Sequence, residues 1–377
     1  MARVNKRQHY IPQFLLRRFS PPDKPTVRLF VIASGKSVDS APIKGQCYKD
    51  DFYGDDLQLD KYFQEMEGRS AALFRSLDNV KSPLAKIAEE QAGLIVFLLA
   101  QLSRTPAAAD QTNEWADKFY RETFLRDQIR RENFPAKYAD KIKFRFDAPV
   151  IASVYMAFES LPFVVDLGIS LLKAHESAEF VIGDDPVVEC NQAYGPGKGI
   201  SHTGRAMRGY QALCPISPKQ CLFFFDQTIY KVGSPNTFQI PIKAADVAIC
   251  NGLQVANAHA VLYAGPTTSI DDLKRLFASY KKYRRSDRSA IDRSPFPSMA
   301  GRKRELVYGH TIDLKNPVRW SFCGLKRAYR GQGFPNYGPR DPEIKAMSDS
   351  LTHNEEMTPE NKKTLLEFAM RRAVGRI

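Results

Sequence analysis

The residues best suited to chemistry lie almost at the start of the chain, in KRQHYIPQFLLRRF at residues 6–19. Proline fixes φ near the helical value and lacks an N–H, so Pro12 suits the first position of a helix running to about Phe19. Ile11 before it is held extended. His9 and Tyr10 are therefore expected just ahead of a helix N-terminus, among unbonded N–H groups and the positive dipole end. That end, with Lys6, Arg7, Arg17 and Arg18, opposes a second positive charge on an imidazole whose ordinary pKa is about 6.5. The expectation is a neutral His9 at pH 7, with a nitrogen available to a metal, a substrate or a proton. The alternative is a histidine that only caps backbone groups or packs. Gln13, in the first helical turn, is a candidate anion contact.

QHYIPQFLLRRF also resembles the opening HYxPQxxLRxF run of a widespread bacterial family, domain of unknown function 4238. Three further pieces agree in order. FQEMEGRSAALF resembles the family's glutamate-bearing helix at Glu67. LLAQLSRTP resembles its Arg–Thr–Pro helix end at Arg104, Thr105 and Pro106. FVIGDDPVV resembles its strand-end motif at Asp184 and Pro186, with Asp185 where the family usually has asparagine. The resemblance covers roughly residues 5–265. It implies a set of positions and no reaction.

Those positions carry a definite chemistry. A strand end is a rigid support for a functional carboxylate. Asp185 precedes a proline and should be extended. Adjacent extended residues send side chains to opposite faces, so Asp184 and Asp185 are not expected to share one ion. Asp184 is the candidate for chemistry and Asp185 the brace of the turn. Glu67 is either a second acid–base or metal carboxylate, or one half of a salt bridge to Arg69 or Arg104. Arg104 is a candidate bidentate anion clamp. Asp184 and Glu67 are the candidate ligands of a divalent ion, Mg²⁺ or Mn²⁺. Asn251, Gln254 and Asn257, three apart, share a helix face ahead of His259. Such a polar row must find partners if buried, in strand ends or in a ligand.

Charge points to a second region. The chain has a formal net charge of +13. Eleven Lys and Arg fall between Leu273 and Arg304, against Asp287 and Asp292, with Phe277, Tyr280, Tyr283 and Phe296 among them. This is the footprint of a nucleic acid or other polyanion partner, with Lys281, Lys282, Arg284 and Arg285 as the candidate contacts. A solvated helix face gives the same pattern.

The elements that must position these residues can be placed coarsely. A strand is expected over 26–32 and an extended piece near Cys47–Tyr53. Helices are expected at Leu57–Leu77, Ala85–Arg104, Ala107–Arg131 and Pro149–Leu172, the last kinked at Pro162. Strands follow at 178–190, in YQALCPIS and in CLFFFDQTIYKVG. Residues 244–264 read as a helix running into a strand. Ser269 caps a further helix, residues 286–302 read as a loop, and RELVYGHTIDL as a strand. A final helix starts at Thr358–Pro359. The fold class expected is α+β: a mostly helical first half, then a mixed helix–sheet part, with a basic C-terminal extension. The division expected is a core domain over 1–265 and an extension over 266–377.

The bulk numbers narrow the function. At 377 residues the chain builds a sizeable core. It shows no run of 18 apolar residues and no secretory signal pattern, so a cytoplasmic protein without a membrane span is expected. Six cysteines match no zinc template and are expected to be buried thiols. GxSxG, P-loop, GxGxxG, HExxH and zinc-deaminase signatures are absent. Two function classes remain. One is a metal-dependent nuclease or phosphodiesterase using His9, Glu67 and Asp184 as catalytic groups. The other is a non-catalytic protein binding nucleic acid or an anionic partner, with His9 and Asp184 as a structural latch.

Overall fold

Short strands come first. β1 (Arg7–His9), β2 (Thr26–Val31), β3 (Ser37–Pro42) and β4 (Tyr48–Asp50) surround one short helix, α1 (Gln13–Arg17). The helical run follows: α2 (Leu57–Asp78), α3 (Ala85–Ser103), α4 (Pro106–Tyr120), a π turn at Arg121–Leu125, α5 (Arg126–Arg130) and α6 (Pro149–Glu159). Then β5 (Gly168–Ala174), β6 (Ile182–Gly183), β7 (Val188–Cys190), β8 (Gln211–Ser217), β9 (Gln220–Phe225), β10 (Tyr230–Val232) and β11 (Gln239–Ile242) lead to α7 (Ala244–Asn257). The rest comprises β12 (Val261–Ala264), α8 (Ile270–Tyr280), β13 (Ser289–Phe296), β14 (Arg304–Thr311), β15 (Cys323–Leu325), α9 (Pro342–Leu351) and α10 (Pro359–Val374). This computed structural model describes residues 7–54, 57–78, 85–194, 201–234, 237–296, 304–329, 338–351 and 358–374. The fold is α+β, but four strands precede the helices of the first half.

Two sheets organise the core. One has the order β11-β5-β9-β8-β7, the other β3-β2-β12-β6. In the larger sheet only β11 and β5 run parallel. Its strand β9 is buried along its whole length, and successive side chains leave on opposite faces. Leu222 and Phe224 join the cluster with Leu15, Leu16, Leu98 and Leu99. Cys221 and Phe223 join the opposite cluster with Val247, Cys250 and Leu253 of α7. The sheet is thus covered on both sides.

The residues after Gly265 are tied back into this frame. β15 pairs with β10, and β13 and β14 form a hairpin that packs on α4. Arg340 makes a two-pronged bond to Asp166, both almost fully buried. All six cysteines are buried and free. Among the described residues no single helix is long and apolar enough to cross a membrane.

Three expected elements are corrected. The helix expected over Pro149–Leu172 ends at Glu159. Pro162 sits in a 3₁₀ turn, and Gly168–Ala174 becomes β5, an interior strand of the larger sheet between β11 and β9. Its run Ser170, Leu171 and Leu172 is buried on both faces, so it lacks the alternation that marks a half-exposed strand. The loop expected over 286–302 contains β13; residues 297–302 lie outside the described residues. Its polar sequence is ordered by pairing with β14 and by Lys118 of α4, which bonds the Ser289 carbonyl at 2.8 Å. The strand expected at 178–190 is two short pieces separated by the Asp184–Asp185–Pro186 turn. Helix α9 and strand β5 had no counterpart in the sequence reading.

Gly183 shows how closely that turn packs. A Cβ there would lie 2.9 Å from Ala258 Cβ and 3.3 Å from Ala258 Cα, just past the end of α7. Gly183→Val is expected to destabilise the chain by about 1–3 kcal/mol through overpacking. A urea midpoint equal to that of the native chain would contradict this close approach.

Candidate functional site

The opening motif is pinned from beneath. Ile11, Leu15, Leu16 and Phe19 are fully buried, so the end of β1 and the whole of α1 are fixed on the core. β1 pairs with β4, placing His9 opposite Tyr48. The buried Gln8 side chain accepts from the Tyr53 N–H, and the Tyr53 hydroxyl donates to the His9 carbonyl at 3.1 Å. Pro12 is the N-cap of α1 and not its first helical residue, its ψ of 135° lying outside the helical range, and the helix ends at Arg17, short of the expected Phe19.

The bonds of the His9 ring define its tautomer. Nδ1 is 3.0 Å from the Gln46 carbonyl oxygen, which can only accept, so Nδ1 carries the hydrogen. Nε2 therefore presents a lone pair, and Gln13 Nε2 donates to it at 2.9 Å. The amide is oriented by Arg17, which donates to Gln13 Oε1 at 3.1 Å. Burial pushes the His9 pKa down, aided by Arg104 and Arg7 and opposed by the Gln46 carbonyl and Glu67. The neutral His9 expected from the sequence is what this environment favours, with burial the leading cause.

Behind His9 stands an ion pair. Arg104 is fully buried and donates from Nη1 to Glu67 Oε1 at 2.8 Å. Its remaining bonds go to Gln101 Oε1, and its guanidinium lies 4.9 Å from the Phe63 ring centre. Gln101 in turn donates to the Tyr10 carbonyl at 2.9 Å. Of the two arginines open to Glu67 on sequence grounds, Arg104 is the partner. The buried guanidinium is thereby committed to Glu67 and Gln101.

These residues open onto a cleft of about 510 Å³ between β1–α1 and α2. His9, Gln13 and Glu67 line it, with Arg7 and Arg17 as its cations. Asp60 and Gln64 line it too, and the sequence reading missed both. Asp60, Gln64, Glu67 and Ala71 recur at helical spacing on α2, which is the signal that marks this face. Gln64 donates to Asp60 Oδ2 at 2.7 Å, and burial raises the Asp60 carboxyl above its ordinary value.

Asp184 does not line this cleft. It is buried behind the motif, near Tyr10 and Cys47. Its Oδ1 accepts from the His259 N–H at 2.7 Å and its Oδ2 from the Ala260 N–H at 2.9 Å. Burial pushes its carboxyl up against the pull of those N–H groups. The pairing of Asp184 with Glu67 around one ion finds no geometric support, because Asp184 is turned onto the backbone that follows α7. Asp185 leaves in another direction. It accepts from Thr105 Oγ1 at 3.0 Å, from Asn257 at 3.1 Å and from Arg288 at 2.7 Å. Among the described residues no group of three or more His, Cys, Asp and Glu side chains converges to hold a metal.

The basic segment divides. Lys281 and Lys282 are exposed. Arg284 turns inward to the carbonyls of Val255, Ala258 and His259 at the end of α7. Arg285 donates to the Ile312 carbonyl and to Asn257 Oδ1. The structure therefore brings together His9, Gln13, Glu67 and Arg104, and leaves Asp184 and the four basic candidates elsewhere.

A family model described as "Protein of unknown function (DUF4238)" matches residues 7–268. No curated protein and no solved structure matches the chain.

Two outcomes follow from the ion pair and the ring. Glu67→Ala leaves the fully buried Arg104 without its bonded carboxylate, and is expected to cost about 3 kcal/mol. Glu67→Gln keeps an acceptor and should cost clearly less; equal melting temperatures for both would contradict the pairing. His9, lowered by burial, resists protonation in the folded state, whereas the unfolded chain takes that proton near pH 6.5. Its effect is absent above that pH, destabilises as pH falls through it, and levels off below the folded value. His9→Gln should lessen the loss of urea midpoint between about pH 7.5 and 5.5. An unchanged slope would count against burial of the ring.

Proposed function

The chain belongs to the DUF4238 family, whose description assigns no activity, and from that premise we propose that the His9 cleft binds an anionic ester and hydrolyses it, nucleic acid phosphodiesters being the substrate class. The observation that carries this reading is the His9 ring: held neutral by burial, fixed as the Nδ1–H tautomer, its Nε2 lone pair met by one side chain of the cleft, the Gln13 amide. That is the state a general base needs near pH 7.

The steps balance with residues of the cleft. When substrate displaces the Gln13 amide, His9 Nε2 takes the proton of a water whose oxygen attacks phosphorus. The P–O bond to the leaving oxygen breaks as the new one forms. The leaving oxygen takes its proton from solvent or from Asp60, which lines the same cleft. Arg7 and Arg17 oppose the charge of the phosphate. Glu67, gripped by Arg104, favours the imidazolium that forms. Mg²⁺ or Mn²⁺, if bound at Glu67, would supply charge neutralisation.

One observation favours a second reading. Both His9 nitrogens already have partners within the protein, so the motif also serves as a latch between β1, α1 and β4. The function is then non-catalytic binding of nucleic acid or another anionic partner, with Lys281 and Lys282 as the exposed contacts.

Native chain, His9→Ala and Glu67→Gln would be incubated with labelled RNA, single-stranded DNA and duplex DNA, in Mg²⁺, Mn²⁺ or chelator. Cleavage by the native chain is expected to fall on the order of 10²–10⁴-fold in His9→Ala at an unchanged melting temperature. Absence of cleavage, with salt-sensitive binding that survives His9→Ala, would overturn the hydrolytic reading in favour of the latch.

A further inference from the structure

A second cleft, of about 520 Å³, lies between α4, α6, the Asp185 turn and the β13–β14 hairpin. No residue lining it lines the His9 cleft. Its size is that of a small-molecule site. Three guanidiniums line it. Arg205 pairs with Glu189 at 3.2 Å and Arg288 with Asp185 at 2.7 Å. Arg285 differs. Its two hydrogen bonds go to neutral oxygens, the Ile312 carbonyl and Asn257 Oδ1. Among the lining residues three arginines thus face two carboxylates, and each carboxylate already has its own arginine. A desolvated cation without an opposite charge in contact is costly, and an anion is what offsets it. Burial and the neighbouring Arg288 push the Arg285 pKa down to about 10, against the pull of Asp185, Glu189 and Asp313, none of which bonds it directly.

The other wall is aromatic. Trp115 and Tyr308 both line the cleft. Trp115 is stacked on Phe119 with ring centres 5.0 Å apart and 12° between planes, so its orientation is set. Gly309 lets the hairpin come down beside the indole, since a Cβ there would lie 2.2 Å from Trp115 Nε1.

We propose that this cleft binds a small organic anion carried on a planar ring, with the anionic group on Arg285 and the ring against Trp115 and Tyr308. Arg205 and Arg288, held by their carboxylates, flank the anion and fix its orientation. The anion is a phosphate ester or a carboxylate, and the site selects for ring and charge together. This site is independent of the reading of the His9 cleft.

The chain reports on the site itself. It has two tryptophans, and Trp320 is buried in the other half of the core. In a Trp320→Phe background, Trp115 fluorescence would be followed during titration with AMP, adenosine, benzoate and inorganic phosphate. A saturable change is expected with AMP, benzoate or both, and which of them acts identifies the phosphate or the carboxylate source. Adenosine and inorganic phosphate should bind at least tenfold more weakly than the ring-bearing anion. Arg285→Met should weaken binding at least tenfold. Ala108→Phe, which fills the cleft and keeps every charge, should abolish it, and guards against misfolding of the arginine variant. No saturable change with AMP or benzoate overturns the proposal. So does inorganic phosphate or adenosine binding as tightly as the ring-bearing anion, or binding that survives Ala108→Phe in a folded chain.

Discussion

The polar row of α7 holds the middle of this molecule together. Residues 179–187 run beside α7 with little strand pairing of their own, and their backbone groups would otherwise be buried without partners. Asn251 accepts from the Val181 N–H and donates to the Glu179 carbonyl. Gln254 accepts from the Gly183 N–H and donates to the Pro186 carbonyl. Asn257 donates to the carbonyls of Asp185 and Val187. Three amide side chains, one helical turn apart, thus stand in for a neighbouring strand. Asp184 then returns the favour, bonding the N–H groups that emerge just after the helix. The spacing of α7 from the turn is fixed in both directions, and Gly183 is needed because that spacing is so small.

Much of the candidate site was legible, and for a physical reason. His9 and Gln13 belong to a short local pattern, a proline beside a helix start, whose chemistry survives without tertiary detail, whereas Glu67 and Arg104 stand out only through the family resemblance. Asp60 escaped because an acid in the first turn of a helix already has a local explanation. Asp185 could be read as a brace, but not as the anchor of Arg288, which arrives from 103 positions downstream. The same distance effect hid β5 and β13. A strand buried on both faces has no period to read, and a polar strand is defined by the partner it meets.

The division of the basic residues follows side-chain chemistry. Arginine's planar fork satisfies several carbonyl or carboxylate oxygens at once, so it tolerates burial. Arg284 closes three carbonyls at the α7 end, and Arg340 closes on Asp166 with both partners buried. Lysine holds its hydration more strongly, and Lys281 and Lys282 remain outside. A count of positive charge along 273–304 therefore overstates what the surface presents. It also conceals Arg285, a half-buried guanidinium whose hydrogen bonds go to a carbonyl and an amide oxygen.

The elbow between α3 and α4 is where the two clefts approach each other in sequence. Arg104 and Thr105 are neighbours, yet they serve different sites. Arg104 turns to Glu67 and the His9 cleft. Thr105 caps α4 through the Ala108 N–H and bonds Asp185 on the side of the second cleft. Pro106 follows at the first helical position and stiffens the joint. The elbow is thus a rigid reference from which both clefts are measured. Adjacency of this kind is not by itself coupling. Its consequence is precision. A fully buried arginine and a buried threonine hold the His9 cleft and the second cleft on one frame, built from an Arg–Thr–Pro run three residues long.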